Sequence, residues 1–160
     1  MARMQMITTF LWFDKEAGEA AKFYASVFKG SKIKSSYTLE KTPSGTVEVV
    51  TIELFGQEFT IMSAGPLFKF NESISFVVHC ETQREVDYYW KKLSADPKAE
   101  QCGWLKDKYG LSWQIVPNVL NKMLQDKDQR KVALVTEAFL KMKKLDIATL
   151  KTAYEAGRGK

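Results

Sequence analysis

The sequence predicts an α+β chain built from two βαβββ modules with a helical C-terminal extension, on three observations. A strand–helix pattern occurs twice: a shift of 66 residues places Phe10 on Phe76, Ala20 on Val86, Phe23 on Tyr89, Tyr24 on Trp90 and Val27 on Leu93. A shift of 54 places the strand-like FGQEFTIM (55–62) on YGLSWQIV (109–116), in the same order within its unit. After Pro117 the apolar residues recur at helical spacing only. The modules cover about residues 6–63 and 73–117, within a core of 1–117, and residues 118–160 form the extension of the same domain. The two shifts differ because the second half has a shorter middle, so one of its strands must be short or missing. Neither module can bury its sheet alone, which predicts a curved sheet, or two, with a helix behind each half.

Each element follows from local chemistry. Met6–Phe13 is mostly β-branched or aromatic and reads as a strand. Asp14 is suited to cap the next helix, where Ala17, Ala20, Tyr24 and Val27 form a stripe that Gly30 ends. Strands are expected at Lys32–Glu40, Thr46–Leu54 and Gln57–Ser63, joined by Thr42-Pro43-Ser44-Gly45 and by a tight turn at Phe55-Gly56. An irregular stretch follows from Ala64. The strand Ser73–Cys80 then leads into a helix with a capping box, Thr82 and Glu85, and the stripe Val86, Tyr89, Trp90 and Leu93. Gln101–Lys106, a turn at Lys108-Tyr109-Gly110 and the strand Leu111–Pro117 close the core. Helices are expected at Asn118–Asp126, Gln129–Lys143 and Asp146–Glu155, the last capped by Asp146. Their stripes, such as Val132, Val135, Phe139 and Met142, must cover either their own core or a second subunit.

Composition removes several classes of function. The longest uncharged run, Tyr109–Asn121, is thirteen residues and contains Pro117, too short to cross a bilayer. No basic-then-apolar leader opens the chain, and two cysteines cannot make a disulfide framework, so a cytoplasmic location is expected. The lone histidine, His79, excludes His-rich zinc sites and HExxH, and no GxSxG elbow accompanies it. No Gly-rich turn follows a strand, which excludes the dinucleotide fingerprint and the P-loop. The net charge of +5 lies wholly in the tail: residues 1–117 hold fourteen basic and fourteen acidic side chains, residues 118–160 ten and five. The tail lysines are interleaved with acids and not with aromatics, which reads as solvated helix faces and not as a nucleic-acid surface.

Strand alternation assigns the faces. In the opening strands Phe10, Trp12, Ile74, Phe76 and Val78 are expected on the helix side, and Ile7, Thr9, Leu11, Phe13, Ser73, Ser75, Val77 and His79 opposite. In the closing strands Phe59, Ile61, Trp113 and Ile115 face the helices, with Thr60, Met62, Ser112, Gln114 and Val116 opposite. The second face mixes hydroxyls, an amide and an imidazole with aliphatics, as a ligand-holding hollow would. The ligand-binding candidates are therefore Thr9, Thr60, Ser75, His79, Trp104 and Gln114. Gln114 needs partners at mid-strand, which a ligand or an internal hydrogen bond can supply. His79 is either an ordinary polar residue at a sheet end or a ligand or general base. Trp104 stands either in the core or at the mouth of the hollow. The lining is neutral apart from His79, so the expected ligand is largely uncharged with one or two hydrogen-bonding oxygens.

FLWFD (10–14) leading into EAAKFYASVF (19–28), then ISFVVHCETQREVDYYWKKL (74–93), QCGWLKDKYGLSWQIVP (101–117) and KMKKLDIATLKTAYEAG (141–157) together resemble one branch of the vicinal oxygen chelate superfamily. That superfamily includes the glyoxalase I, bleomycin-resistance and extradiol dioxygenase proteins. The branch is the PhnB-like family, often labelled 3-demethylubiquinone-9 3-methyltransferase. The resemblance implies a glyoxalase/bleomycin-resistance-like fold, a cavity built from two modules, and a homodimer. Metal-dependent members hold a divalent ion with His, Glu or Gln on the first and last strand of each module. The matching positions here are Ile7, Thr60, Ser73 and Gln114, a set with no anionic ligand, so no metal and no cofactor is expected. A one-residue slip substitutes Thr8 or Ser75 and changes nothing.

The resulting expectation is a metal-free small-molecule-binding protein, or a weak enzyme, that binds neither nucleic acid nor membrane. The alternatives are a metal-dependent lyase, isomerase or dioxygenase, the methyltransferase of the family label, and an interaction module working through the basic tail. Against the label, the first strand runs through Asp14-Lys15-Glu16 with no glycine before Gly18.

Overall fold

Helix α1 (Ala17–Val27) buries Ala17, Ala20, Ala21, Tyr24 and Val27, so its small residues lie on one side and let it approach a sheet closely. The computed structural model describes residues 5–157. Residues 1–4, on which the expectation about a leader falls, and residues 158–160 lie outside the described residues. The chain divides into two compact units, one up to Lys69 and one from Phe70.

In the first unit β1 (Thr9–Phe13), α1, β2 (Lys32–Thr42), β3 (Gly45–Leu54) and β4 (Gln57–Ser63) form a βαβββ module with sheet order β1-β4-β3-β2. β1 runs parallel to β4, and the other pairs are antiparallel. Phe55 and Gly56, at φ 50° and 78°, make the two-residue turn that joins β3 and β4. The face toward α1 carries Leu11, Val50, Ile52, Phe59 and Ile61, all buried. Each contributes about 1.5–3 kcal/mol of apolar burial. β2 is exposed along almost its whole length and ends the sheet.

Two expectations are corrected in this unit. Asp14 does not cap α1: the N-cap is Glu16 without a side-chain bond, and the Ala17 N–H donates to Ser63 Oγ at 2.9 Å. The facing of β1 is also reversed. Thr9 pairs with Phe59, Leu11 with Ile61 and Phe13 with Ser63, so these three face α1, while Phe10 pairs with Thr60 on the other side and is 56% exposed. Trp12 shares that outer side, donates from Nε1 to the Gly65 carbonyl at 2.8 Å and packs with Val47, Val49 and Met62.

The reversal comes from a one-residue difference between the repeats. α1 and α2 (Gln83–Leu93) are related by the 66-residue shift, but three residues separate β1 from α1 and two separate β5 (Ser75–Cys80) from α2. The strands are therefore related by 67 residues, and an odd slip moves every side chain to the opposite face.

The second unit contains β5, α2, a short 3-10 turn (Pro97–Ala99), β6 (Trp104–Lys106) and β7 (Ser112–Pro117), in sheet order β5-β7-β6. Its helix has the expected capping box between Thr82 and Glu85. Among the described residues the counterpart of β2 is missing, as the shorter middle requires. Along this side the tail supplies the bonds: Cys102 N–H donates to the Met142 carbonyl at 2.7 Å and Gly103 N–H to that of Lys143 at 2.8 Å. The register places Phe76, Val78, Trp113 and Ile115 toward α2, and Ser75, Val77, His79, Ser112, Gln114 and Val116 opposite, as expected. Ile74 precedes the strand and is 66% exposed, contrary to its expected place in the core.

The tail folds as α3 (Asn118–Leu124), α4 (Gln129–Leu140) and α5 (Ile147–Ala156), with Asp146 accepting from the Thr149 N–H at 2.7 Å to cap α5. Leu120, Met123, Val135, Leu145 and Leu150 form a buried cluster with Val116 against it, so the stripes cover their own unit.

Candidate functional site

The face of the second sheet opposite α2 is built from adjacent strand positions. Trp104 pairs with Gln114 and Lys106 with Ser112 across β6–β7, and Gln114 pairs with Val77 and Ser112 with Ser75 across β5–β7. Gln114 Nε2 donates to Ser75 Oγ at 2.9 Å, so the mid-strand amide has an internal partner and keeps its carbonyl oxygen available. Trp104 is half-buried beside it. His79 lies on the same face at the end of β5, exposed and next to Val116. Thus Ser75, Trp104 and Gln114 come together, with His79 farther along the strand.

The two candidates of the first unit separate. Thr60 is half-buried on the face away from α1, between Phe10 and Thr51. Thr9 faces α1 instead, in line with Phe59, and leaves the candidate face because of the one-residue slip.

The sequence reading missed Lys106, and it placed Ser112 on this face without making it a candidate. A cavity of about 330 Å³ beside β6 is lined by both, with Glu72, Gln101, Cys102 and Trp104. Lys106 forms an ion pair with Glu72. The hydrogen bond from Lys106 holds the Glu72 carboxyl below its usual range. Ser112 is 1% exposed, and its hydroxyl has no partner among the described residues. Alternation along β6 would have placed Lys106 on this face, but the strand is three residues long and its start depended on the backbone bend at Cys102, φ 40°. Burial raises the thiol pKa of Cys102, and that of Cys80 is pushed up to about 12, which leaves Cys80 a packing residue.

Asp107 supports this region from below. It is 3% exposed; Oδ1 accepts from the Tyr109 and Leu111 N–H groups at 2.9 and 3.1 Å, and Oδ2 from Trp113 Nε1 at 2.9 Å.

No group of three or more His, Cys, Asp or Glu side chains suited to a metal ion occurs among the described residues. Of the metal positions implied by the superfamily, Ile7 is 87% exposed and lies outside the strands. Ser73 precedes β5, and its N–H and hydroxyl both donate to Asn71 Oδ1, at 2.9 and 2.6 Å. These residues do not fit a divalent ion. S-adenosylmethionine fits no better, because the first sheet has one parallel pair and the β1–α1 turn has no glycine. The Glu48 carboxylate already lies against the first turn of α1, within 2.8 Å of where a Cβ on Gly18 would stand.

A βαβββ module followed by a second that repeats its strand–helix order is the fold of the vicinal oxygen chelate superfamily. The fosfomycin resistance protein FosX from Listeria monocytogenes shares the fold, with a TM-score of 0.56 at 15% identity over 79% of this chain and 100% of its own. Within that superfamily, residues 5–116 match the 3-demethylubiquinone-9 3-methyltransferase family, and the chain belongs to it. It is similar to the PhnB protein from Bacillus cereus, described as a 3-demethylubiquinone-9 3-methyltransferase, at 35% identity over 71% of this chain and 99% of that one, with a TM-score of 0.59. No curated protein matches the chain. No described helix is long and apolar enough to cross a membrane.

Proposed function

We propose that the chain is a small-molecule-binding protein that holds a mostly neutral ligand on the face of its second sheet opposite α2, without the superfamily's metal and without methyl transfer. The observation that carries this reading is the Ser75–Gln114–Trp104 group. It offers an amide carbonyl, a hydroxyl and an aromatic wall on neighbouring strand positions. His79 and, in the first unit, Thr60 are further ligand-binding candidates of the same reading. Lys106 adds one positive charge to this face and Glu72 cancels it, so the group as a whole stays uncharged. A ligand with an aromatic or aliphatic body and one or two hydrogen-bonding oxygens suits it. No residue is assigned a catalytic role.

The test is a thermal-shift and titration series with small neutral aromatic amides and phenols as probes. These should stabilise the protein, and Gln114→Leu should weaken their binding by about 1–3 kcal/mol, roughly tenfold to a hundredfold. Elemental analysis after purification without chelator decides the competing class. Near-stoichiometric divalent metal, lost with Gln114→Ala, would establish a metal-dependent lyase, isomerase or dioxygenase instead. The tail gives little support to an interaction module, since Lys131, Lys141, Lys143 and Lys144 each have an acidic partner within their own unit. A cytoplasmic homodimer completes the proposal, and light scattering at about 10 μM, above a weak-dimer Kd of about 1 μM, should return twice the chain mass.

A further inference from the structure

The cavity beside β6 points to a second ligand, of a different charge class; it shares Trp104 with the site proposed above, but Ser75 and Gln114 lie outside its lining. Lys106 and Ser112 are direct partners in the β6–β7 pair, so both side chains rise from the same face of neighbouring strands. The hydroxyl is buried with no partner among the described residues, and a ligand oxygen would relieve its desolvation. The ion pair above it is asymmetric. Lys106 is fixed on a strand with a side chain 24% exposed, whereas Glu72 comes from the irregular segment before β5 with a side chain 64% exposed. Exchanging one carboxylate for another at the same ammonium leaves the charge balance unchanged, so an incoming acid need displace only a loosely placed surface group.

We propose that this cavity is a binding site for a compact monocarboxylic acid. Its carboxylate takes the place of Glu72 at Lys106 and accepts the Ser112 hydroxyl, while its body lies against Trp104. One lysine balances one negative charge, and a dianion would bury a charge without a counterion. The volume of about 330 Å³ is at the small end for ligand cavities, which selects a single ring or a short chain.

The experiment is isothermal titration of the full chain with benzoate, and with benzamide as its neutral counterpart. Benzoate should bind the natural chain, and Glu72→Gln should tighten it about tenfold by removing the internal competitor. Lys106→Met should weaken it at least tenfold, Lys106→Arg should restore most of that loss, and Ser112→Ala should weaken it roughly threefold to tenfold. Gln114→Leu should leave benzoate binding unchanged, which separates this site from the one proposed above. Far-UV circular dichroism and the melting temperature of each variant establish that it is folded. Benzoate that binds no tighter to Glu72→Gln overturns the proposal. So does benzoate that is indifferent to Lys106→Met, or benzamide that gains as much as benzoate from Glu72→Gln.

Discussion

Asp107 is the residue whose removal should cost the second unit most among its turn positions. Its carboxylate accepts the N–H groups of Tyr109 and Leu111 and the indole N–H of Trp113, and its own N–H donates to the Leu111 carbonyl at 3.0 Å. The turn it closes carries Gly110 at φ 82°, and Trp113 is itself 3% exposed with its ring 5.6 Å from that of Phe76. Asp107→Ala removes the acceptor of two backbone donors and one indole donor together. Hydrogen bonds to a charged group contribute about 1.5–3 kcal/mol each, and deleting the buried charge returns part of its desolvation, so a net loss of about 3–4 kcal/mol is expected. At about 2–4 °C per kcal/mol for a chain of this size, that is a fall in Tm of roughly 6–16 °C. Asp107→Asn keeps an oxygen for the two backbone donors but turns an amide N–H₂ toward the indole N–H, and should cost only about 1–3 kcal/mol. Urea unfolding followed by far-UV circular dichroism and tryptophan fluorescence measures both. A loss below 1 kcal/mol for the alanine variant, or a larger loss for asparagine than for alanine, would refute the reasoning.

Two further outcomes follow from the same unit. Gly103 sits at φ 89°, and a Cβ there would stand 3.0 Å from Leu145 Cδ1 and 3.2 Å from the Ile115 carbonyl oxygen, so Gly103→Ala should destabilise by about 1–3 kcal/mol and speed amide exchange at Cys102 and Gly103. Bonds from the Thr149 hydroxyl and N–H hold the Asp146 carboxyl below its ordinary value, so its stabilising effect is complete at neutral pH and is lost as the pH falls below about 4. Asp146→Asn keeps a capping oxygen that does not titrate and should show a smaller drop in urea midpoint between pH 5 and pH 3 than the natural chain.

The repeat was legible because helices and closing strands carry strong local signals. The Thr82–Glu85 capping box, the Phe55-Gly56 turn and the apolar stripes each depend on a few neighbouring residues, and all are present in the structure. The facing of β1 was not legible, because it depends on the number of residues in the turn before α1 and the helices alone gave the wrong shift. Alternation could not decide the matter either, since Phe10, Leu11, Trp12 and Phe13 are all large and apolar. That error moved Thr9 out of the candidate face and left Ser75, His79 and Gln114 where alternation had put them. Lys106 was missed, and Ser112 was put on the right face but not among the candidates, for a different reason. A lysine in a short strand reads as solvated, and a serine shows nothing in the sequence of whether its hydroxyl will find a partner.

The shortened second module also explains what the tail is for. Where the first unit has β3 and β2 beyond β4, the second has only the three residues of β6 beyond β7, and the chain entering β6 through Cys102 and Gly103 would present its N–H groups to nothing in the sheet. Carbonyls at Met142 and Lys143 accept those donors, and the Leu140 carbonyl accepts Gln101 Nε2 at 2.7 Å. From the other side Gln83 anchors the start of α5, donating to the Leu145 carbonyl at 3.1 Å and accepting the Ile147 N–H at 2.8 Å. The connection between α4 and α5 therefore stands in for the missing strand, satisfying backbone groups that a buried sheet edge cannot leave open. Gly103 is the position where this replacement is tightest, which is why Leu145 lies in the space a side chain would need. The basic charge of residues 118–157 thus belongs to a segment held in place by apolar burial and main-chain bonds. Its lysines are the solvated side of a structural element that completes the sheet on which the candidate site is built.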